Sequence, residues 1–255
     1  MQLSEKAQQI GKLWGAEAQD WLDIQEKKSP ALWMPVLDLA GVGEGTRVLD
    51  AGCGTAGASV LAHQRGAIVT GCDASEEMLA IARGRLPASD FHLAELEQLP
   101  FEDRRFDVVL AVNSLQFAPD PARAARELIR VTEHRLAVVV WSIDRCEQKA
   151  VFDAILALFE KPPKGRGVFA LSEPGQVEGL FPGRSATTTE IDCAFEYPNL
   201  EIALRGQMAA GPSQRVAEIF GREKVESAVR AALAKFVTKE GQIRMENRFL
   251  CTIVR

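Results

Sequence analysis

One short stretch limits what this chain can fold into more than any other: Arg47-Val-Leu-Asp-Ala-Gly-Cys-Gly-Thr-Ala-Gly57. An apolar run, Val48-Leu49, ends in Asp50 and breaks into a turn with glycines at 52, 54 and 57. Ala58-Ser-Val-Leu-Ala-His63 follows and reads as a helix. Strand, glycine turn and helix make a backbone that lets a ligand approach where side chains would block it. The glycines spell G-x-G-x-x-G, which also fits a dinucleotide site. A pyrophosphate, however, wants the positive end of a helix, and a carboxylate at the strand's end opposes it. Asp50 instead suits a cationic ligand with an ammonium or sulfonium group.

The next segments continue the alternation. Ala67-Ile-Val-Thr-Gly-Cys72 is a buried-strand pattern closed by Asp73, roughly 20 residues past the turn, where an acid can accept both hydroxyls of a ribose. Ser75-Glu76-Glu77 opens a helix through Met78 to Arg83, with acids in its first turn as the dipole favours. Ala94-Glu-Leu-Glu-Gln-Leu-Pro-Phe101 precedes a charged turn, Glu102 to Arg105, and the strand Phe106–Val112. Asn113-Ser-Leu-Gln-Phe-Ala-Pro-Asp-Pro121 then leads to an amphipathic helix over 122–131 and a buried strand over 136–141.

Over about residues 45–141 these segments resemble the class I (Rossmann-like) S-adenosylmethionine-dependent methyltransferases. The first stretch is similar to their V-L-D-x-G-C-G-T-G motif, with Ala56 where the last glycine usually stands. That added methyl disfavours positive φ and would crowd the ligand. Residues 94–109 are similar to G-D-A-E-x-L-P-F…F-D-V-V, with Glu95 for the aspartate. The usual K-P-G-G turn is replaced by Thr132-Glu-His-Arg135.

The resemblance implies an α/β fold: a Rossmann-like, seven-stranded, mostly parallel sheet in the order 3-2-1-4-5-7-6, its last strand antiparallel, with helices on both faces and a helical lid. It implies S-adenosylmethionine as cofactor, S-adenosylhomocysteine as product, and no metal. Cofactor contacts would fall on Asp50, Gly52, Cys53, Gly54, Asp73, Ala74, Met78, Glu95, Leu96 and Asn113. Among these, Asp73 would take the ribose, Glu95 the adenine amino group, the Leu96 N–H the adenine ring, and the backbone near Asn113 the ammonium. The flanks look like the lids of ubiquinone/menaquinone-type small-molecule methyltransferases.

The layout expected is one domain over 1–255. Residues 1–45 form an N-terminal helical lid, in which Trp14 and Trp21, seven apart, share a helix face. Residues 46–142 are the cofactor-binding core. Helical cap segments span 143–185 and 200–240, the first with a loop around Pro162-Pro163 and Gly165-Arg-Gly167. The final strands run over 186–197 and 245–255.

Methyl transfer is an in-line displacement that asks mainly for alignment and exclusion of water. Acceptor walls are therefore sought among apolar residues: Trp14, Trp21, Phe117, Trp141 and Phe152, with Gln116 beside Phe117. No catalytic residue is assigned, because the three histidines, at 63, 92 and 134, fall away from the carboxyl ends of strands four and five. A net charge of −5, with Lys and Arg interspersed among acids, argues against nucleic-acid partners. The N-P-P-Y type sequence of amino-methylating DNA enzymes is replaced by Asn113-Ser-Leu-Gln, so a small-molecule acceptor is favoured. No run approaches a membrane span, and no signal peptide is expected from the opening residues. Five scattered cysteines without C-x-x-C spacing point to reduced thiols in a cytoplasm.

Two other readings stay open. A nicotinamide (NAD(P))-dependent oxidoreductase could use the same glycine turn, although the only tyrosine, Tyr197, makes no Tyr-x-x-x-Lys pair. A non-catalytic, S-adenosylmethionine-binding regulatory protein is the other. The acceptor, the atom methylated and the oligomeric state are not set by the sequence.

Overall fold

The apolar runs become strands of one sheet in the computed structural model, which describes residues 3–161 and 167–255. The proline- and glycine-rich loop expected around 162–166 lies outside the described residues. The strands are β1 (Arg47–Ala51), β2 (Ile68–Asp73), β3 (Asp90–Leu93), β4 (Phe106–Val112), β5 (Thr132–Cys146), β6 (Ala186–Asp192), β7 (Phe195–Tyr197), β8 (Ile243–Met245) and β9 (Asn247–Val254). Seven pair in the order β3-β2-β1-β4-β5-β9-β6, while β7 and β8 form a separate two-stranded ribbon. Strand β9 runs antiparallel to both β5 and β6. With the ribbon set apart, this is the expected order 3-2-1-4-5-7-6, its last strand antiparallel.

Alternation along the central strands buries both faces, as a sheet covered on two sides requires. Val48, Leu110, Ala137 and Val139 pack with one set of helices, including Leu32 and Leu37 of α3 (Pro30–Ala40). Leu49, Val109, Val138 and Val140 pack on the other face against Ala124, Leu128 and Val131 of α6 (Pro121–Val131). Between them, α4 (Gly57–Gln64) and α5 (Glu76–Arg85) link β1 to β2 and β2 to β3. The remaining helices are α1 (Glu5–Gly15), the short α2 (Ala18–Asp20), α7 (Lys149–Leu156), α8 (Leu200–Met208), α9 (Gly211–Phe220) and α10 (Arg222–Leu233), the last packed against α7, α8 and α9.

Three details differ from the sequence reading. Trp14 and Trp21 do not share a helix: α1 ends at Gly15, Glu17 leaves helical geometry at φ −133°, and Trp21 opens a π-helical turn. Their rings meet all the same, edge to face with centroids 5.0 Å apart. The strand expected over 186–197 is broken after Asp192. Burial alternates without interruption from Ile191 through Tyr197, so periodicity cannot reveal the break. The cause lies in the partner strand. Asn247 Oδ1 accepts the Gln148 N–H at 2.9 Å and Glu246 N–H donates to Glu147 at 2.6 Å, which pulls the ladder off toward α7. Finally, no turn occupies 132–135. Helix α6 runs directly into β5, the Thr132 hydroxyl donating to the Leu128 carbonyl at 2.6 Å.

Candidate active site

The glycine turn is shaped by two close approaches. Gly52 has φ +81°, and a Cβ there would lie 2.3 Å from Ser114 Cβ. Ser114 is itself drawn in, its hydroxyl donating to the Ala51 carbonyl at 2.7 Å. At Gly57, a Cβ would meet the Trp33 ring at 2.1 Å, so only glycine lets α3 pack on the start of α4. Gly54 differs: its φ is +53°, and the place of its missing Cβ is nearly open, with Trp21 Nε1 3.9 Å away. Ala56 does adopt the left-handed conformation, at φ +70°. Its methyl, however, is fully buried in a small cluster with Leu79 and Phe91 and stays off the cavity wall, so the expected crowding does not arise.

Above this turn lies a cavity with about 210 Å³ open to water-molecule centres. It sits at the carboxyl ends of β1, β2 and β4, where strand order reverses and ligands gather in such sheets. Asp50, Gly52, Cys53, Gly54, Asp73, Ala74, Met78, Glu95, Leu96 and Asn113 all line it. Asn113 carries φ +53° at the end of β4, a conformation asparagine tolerates better than most residues.

Its carboxylates differ in how much water they see: Asp50 is buried, while Asp73 and Glu95 are half-buried. Burial pushes the Asp50 carboxyl up to about 6, against a 2.7 Å bond from the Ser59 hydroxyl that favours the charge. Asp73 is also raised by burial, partly offset by backbone N–H groups. Its two oxygens accept from Gly54 N–H and Ser75 N–H, each at 2.9 Å, tying the first turn to the second. Glu95 is engaged by Ser4, the residue that caps α1, through both its N–H at 3.2 Å and its hydroxyl. Helix α1 can lie so close because Ala7, Gly11 and Gly15 form a small-residue stripe. A Cβ on Gly11 would meet the Ala74 carbonyl oxygen at 2.0 Å.

The aromatic candidates Trp14, Trp21, Phe117, Trp141 and Phe152 also line the cavity. Trp14 bridges Trp21 and Phe117, with centroids 5.0 and 5.2 Å away. Gln116 does not line it. It is buried in the 3₁₀ turn Leu115–Phe117, where neighbours point about 120° apart, so facing Phe117 to the cavity turns Gln116 away. None of His63, His92 and His134 reaches the wall.

Several lining residues escaped the sequence reading: Gln25, Glu26, Gln148, Phe195, Gln207 and Phe249. Glu26 is buried, its carboxyl raised by that burial, and bound to Arg85 at 2.5 Å and to the Thr55 hydroxyl. A signal existed for the stripe on α1, whose small residues recur every fourth position. None existed for the glutamines, which lie far apart in sequence.

The turn end suits S-adenosylmethionine by two observations. An open place beside Gly54 allows close approach, and the donor set is carboxylate and backbone. Among the described residues, no Lys, Arg or His lines the cavity and no cluster of His, Cys, Asp and Glu is placed to hold a metal ion. No helix there is long and apolar enough to cross a membrane.

Residues 49–138 match the methyltransferase domain family. The chain spans about half the length of the first curated relatives it matches. An uncharacterized protein of Mycobacterium bovis is 35% identical over 131 residues, covering 49% of this chain and 48% of that protein. A demethylmenaquinone methyltransferase of Listeria welshimeri is 40% identical over 103 residues, 37% of this chain and 44% of the relative. Among solved structures, the YcgJ protein of Bacillus subtilis superposes with a TM-score of 0.58 at 17% identity, covering 87% of this chain and 96% of the other. That likeness bears on the fold alone.

Proposed function

We propose, from the premise that residues 49–138 carry a methyltransferase domain, that this chain moves a methyl group from S-adenosylmethionine to a small-molecule acceptor held in the cavity. The observation carrying this reading is the charge of the turn wall. Asp50, Asp73 and Glu95 line it, with no basic side chain among the described residues beside them. A pyrophosphate would be repelled there, whereas a sulfonium, an ammonium and ribose hydroxyls are favoured. A nicotinamide dinucleotide finds no such support.

When bound, the cofactor supplies a methyl carbon already activated by positively charged sulfur. The chain's task is then to align the acceptor and exclude water. Asp50 would stabilise positive charge from below the turn, strongly because it is desolvated. Asp73 would accept ribose hydroxyls with the lone pairs its two backbone bonds leave free. Glu95 would take the adenine amino group, a role in which Ser4 either shares or competes. The Leu96 N–H would meet the adenine ring and the backbone at Asn113 the ammonium, with Gly52, Cys53, Ala74 and Met78 shaping the floor. Helix α1 and the Trp14–Trp21–Phe117 cluster would form the lid. No histidine lines the wall, so proton removal falls either to a carboxylate of the lining or to the acceptor's own nucleophilicity, and no base is assigned.

Calorimetric titration with S-adenosylhomocysteine, run beside NADH and NADPH, tests this. Micromolar affinity for the first alone, about −8 kcal/mol, is expected. Binding of a nicotinamide dinucleotide alone would sink the reading.

A further inference from the structure

Away from the glycine turn the cavity wall changes character. Trp141 packs against Phe249, Phe195 and Phe152, with ring centroids 4.3, 5.6 and 6.3 Å away. Set into this aromatic wall are three amides, Gln25, Gln148 and Gln207, only 7%, 2% and 2% exposed. Gln148 and Gln207 pair reciprocally: Gln148 Nε2 donates to Gln207 Oε1 at 2.5 Å, and Gln207 Nε2 returns a bond at 2.9 Å. Gln207 Nε2 also donates to the Tyr197 oxygen at 3.0 Å. The Tyr197 hydroxyl in turn donates to Gln25 Oε1 at 2.5 Å.

This chain of hydrogen bonds runs one way. Gln207 uses both amide hydrogens and Tyr197 its only one, so Gln25 must present oxygen to Tyr197 and nitrogen elsewhere. The Gln25 amide nitrogen has no partner among the described residues, although its side chain is more than nine-tenths buried on the cavity wall. That nitrogen is not among the described side-chain atoms sealed from solvent without a partner, so it keeps an open position on the cavity wall, where a ligand oxygen can take the bond that water otherwise would. Burial holds the Tyr197 phenol well above its usual range, which keeps it protonated and donating.

We infer that the Gln25 amide nitrogen is the polar anchor of the acceptor subsite. Its ligand is an uncharged, flat, largely apolar molecule that presents a carbonyl or hydroxyl oxygen. The inference rests on the methyl-transfer reading for naming that ligand the acceptor. The aromatic walls match a flat apolar body, and the amide donors match an oxygen acceptor. An anion would enter a dry site lined by no cation, where its desolvation goes uncompensated. A cation would lie beside the sulfonium that it must approach. Tyr197, Gln148 and Gln207 are positioning residues: they fix which end of the Gln25 amide faces the ligand.

The test uses the whole chain with saturating S-adenosylhomocysteine and three naphthalene probes of matched shape, their affinities read by saturation-transfer NMR. The probes are 2-acetonaphthone (neutral oxygen), naphthalene (no oxygen) and 2-naphthoate (anion). 2-Acetonaphthone is expected to bind at least about tenfold tighter than either other probe. Gln25→Leu should bring it down to the level of naphthalene. Tyr197→Phe should erode the same ratio while naphthalene affinity holds, which a merely structural role would not produce. If Gln25→Leu does not fold, Gln25→Asn, which keeps the amide but withdraws it, should lower the ratio. Equal or tighter binding of 2-naphthoate, a ratio untouched by the variants, or no binding of 2-acetonaphthone overturns the anchor. The S-adenosylhomocysteine titration of the same samples is read separately. Its failure with the probe ratios intact removes the methyl-transfer reading and leaves the anchor.

Discussion

The two ends of the cavity are built on different physical principles. At the turn end the ligand-facing groups are backbone and carboxylate, set on the ends of neighbouring strands and bound to one another. Asp73 alone ties Gly54 to Ser75. At the far end they are aromatic rings and neutral amides, delivered by separate elements: β5, β7, α7, α8, β9 and the N-terminal segment. The first end presents fixed charge, suited to one unvarying ligand. The second presents shape and hydrogen-bond polarity, which the cap can vary without disturbing the sheet.

The largest effect that could break this contrast is expected at Trp141, which touches three other rings of the far wall. Trp141→Ala should cost about 3–5 kcal/mol of stability, read from the urea midpoint. In protein that remains folded, S-adenosylhomocysteine affinity should change by less than about tenfold (roughly 1.4 kcal/mol). A larger loss would mean the two ends are not separable.

Asp50→Asn should do the reverse. Affinity should fall by about a hundredfold, or about 2.7 kcal/mol, in calorimetry. Stability at neutral pH should not fall. The folded carboxyl titrates near 6 against an ordinary value of 3.8, so the folded protein holds the proton more tightly. The resulting stabilisation is complete below the unfolded value and lost as pH rises through about 6. Above that pH the buried charge costs about 3 kcal/mol by the size of the shift, and asparagine removes the cost. Asp73 and Glu26, both raised by burial, add to the same slope.

The same titration sharpens the turn end by pH alone. As pH falls below about 6, a cationic ligand must displace a proton from Asp50, so affinity should drop by up to about tenfold per unit. A flat profile from pH 7 to 5 would remove Asp50 from the site. Smallest of all, Ser4→Ala removes the α1 cap and should cost about 1 kcal/mol in thermal unfolding. It also frees Glu95, so adenosine-bearing ligands should exchange faster in stopped-flow measurements; unchanged exchange would separate α1 from cofactor entry.

Legibility in the sequence follows the same divide. Strand β4 falls where its apolar run predicts, Phe106–Val112, and the glycine turn falls between β1 and α4. The residues expected to hold a cofactor line one cavity because they sit at strand ends or within the few residues that follow them, Met78 in the first turn of α5 included, where local pattern settles position. Trp14 and Trp21 read as one helix face because the only stop signal between them is Gly15, and a single glycine also fits a helix interior. Gln116 was misplaced because its direction depends on a single 3₁₀ turn.

Taken by itself, the sequence determined the alternation of strands and helices, the backbone-exposing turn and the acids that border it. Those depend on periodicity and on the stereochemistry of a few consecutive residues. Only the tertiary structure decided that Ala56 turns its methyl away from the cavity, that Ser4 reaches Glu95, and that Gln25, Tyr197, Gln148 and Gln207 form one oriented chain. These contacts join residues up to 172 positions apart, and no spacing rule encodes them. They exist because the cap buries polar groups against the sheet, and buried polar groups must find partners.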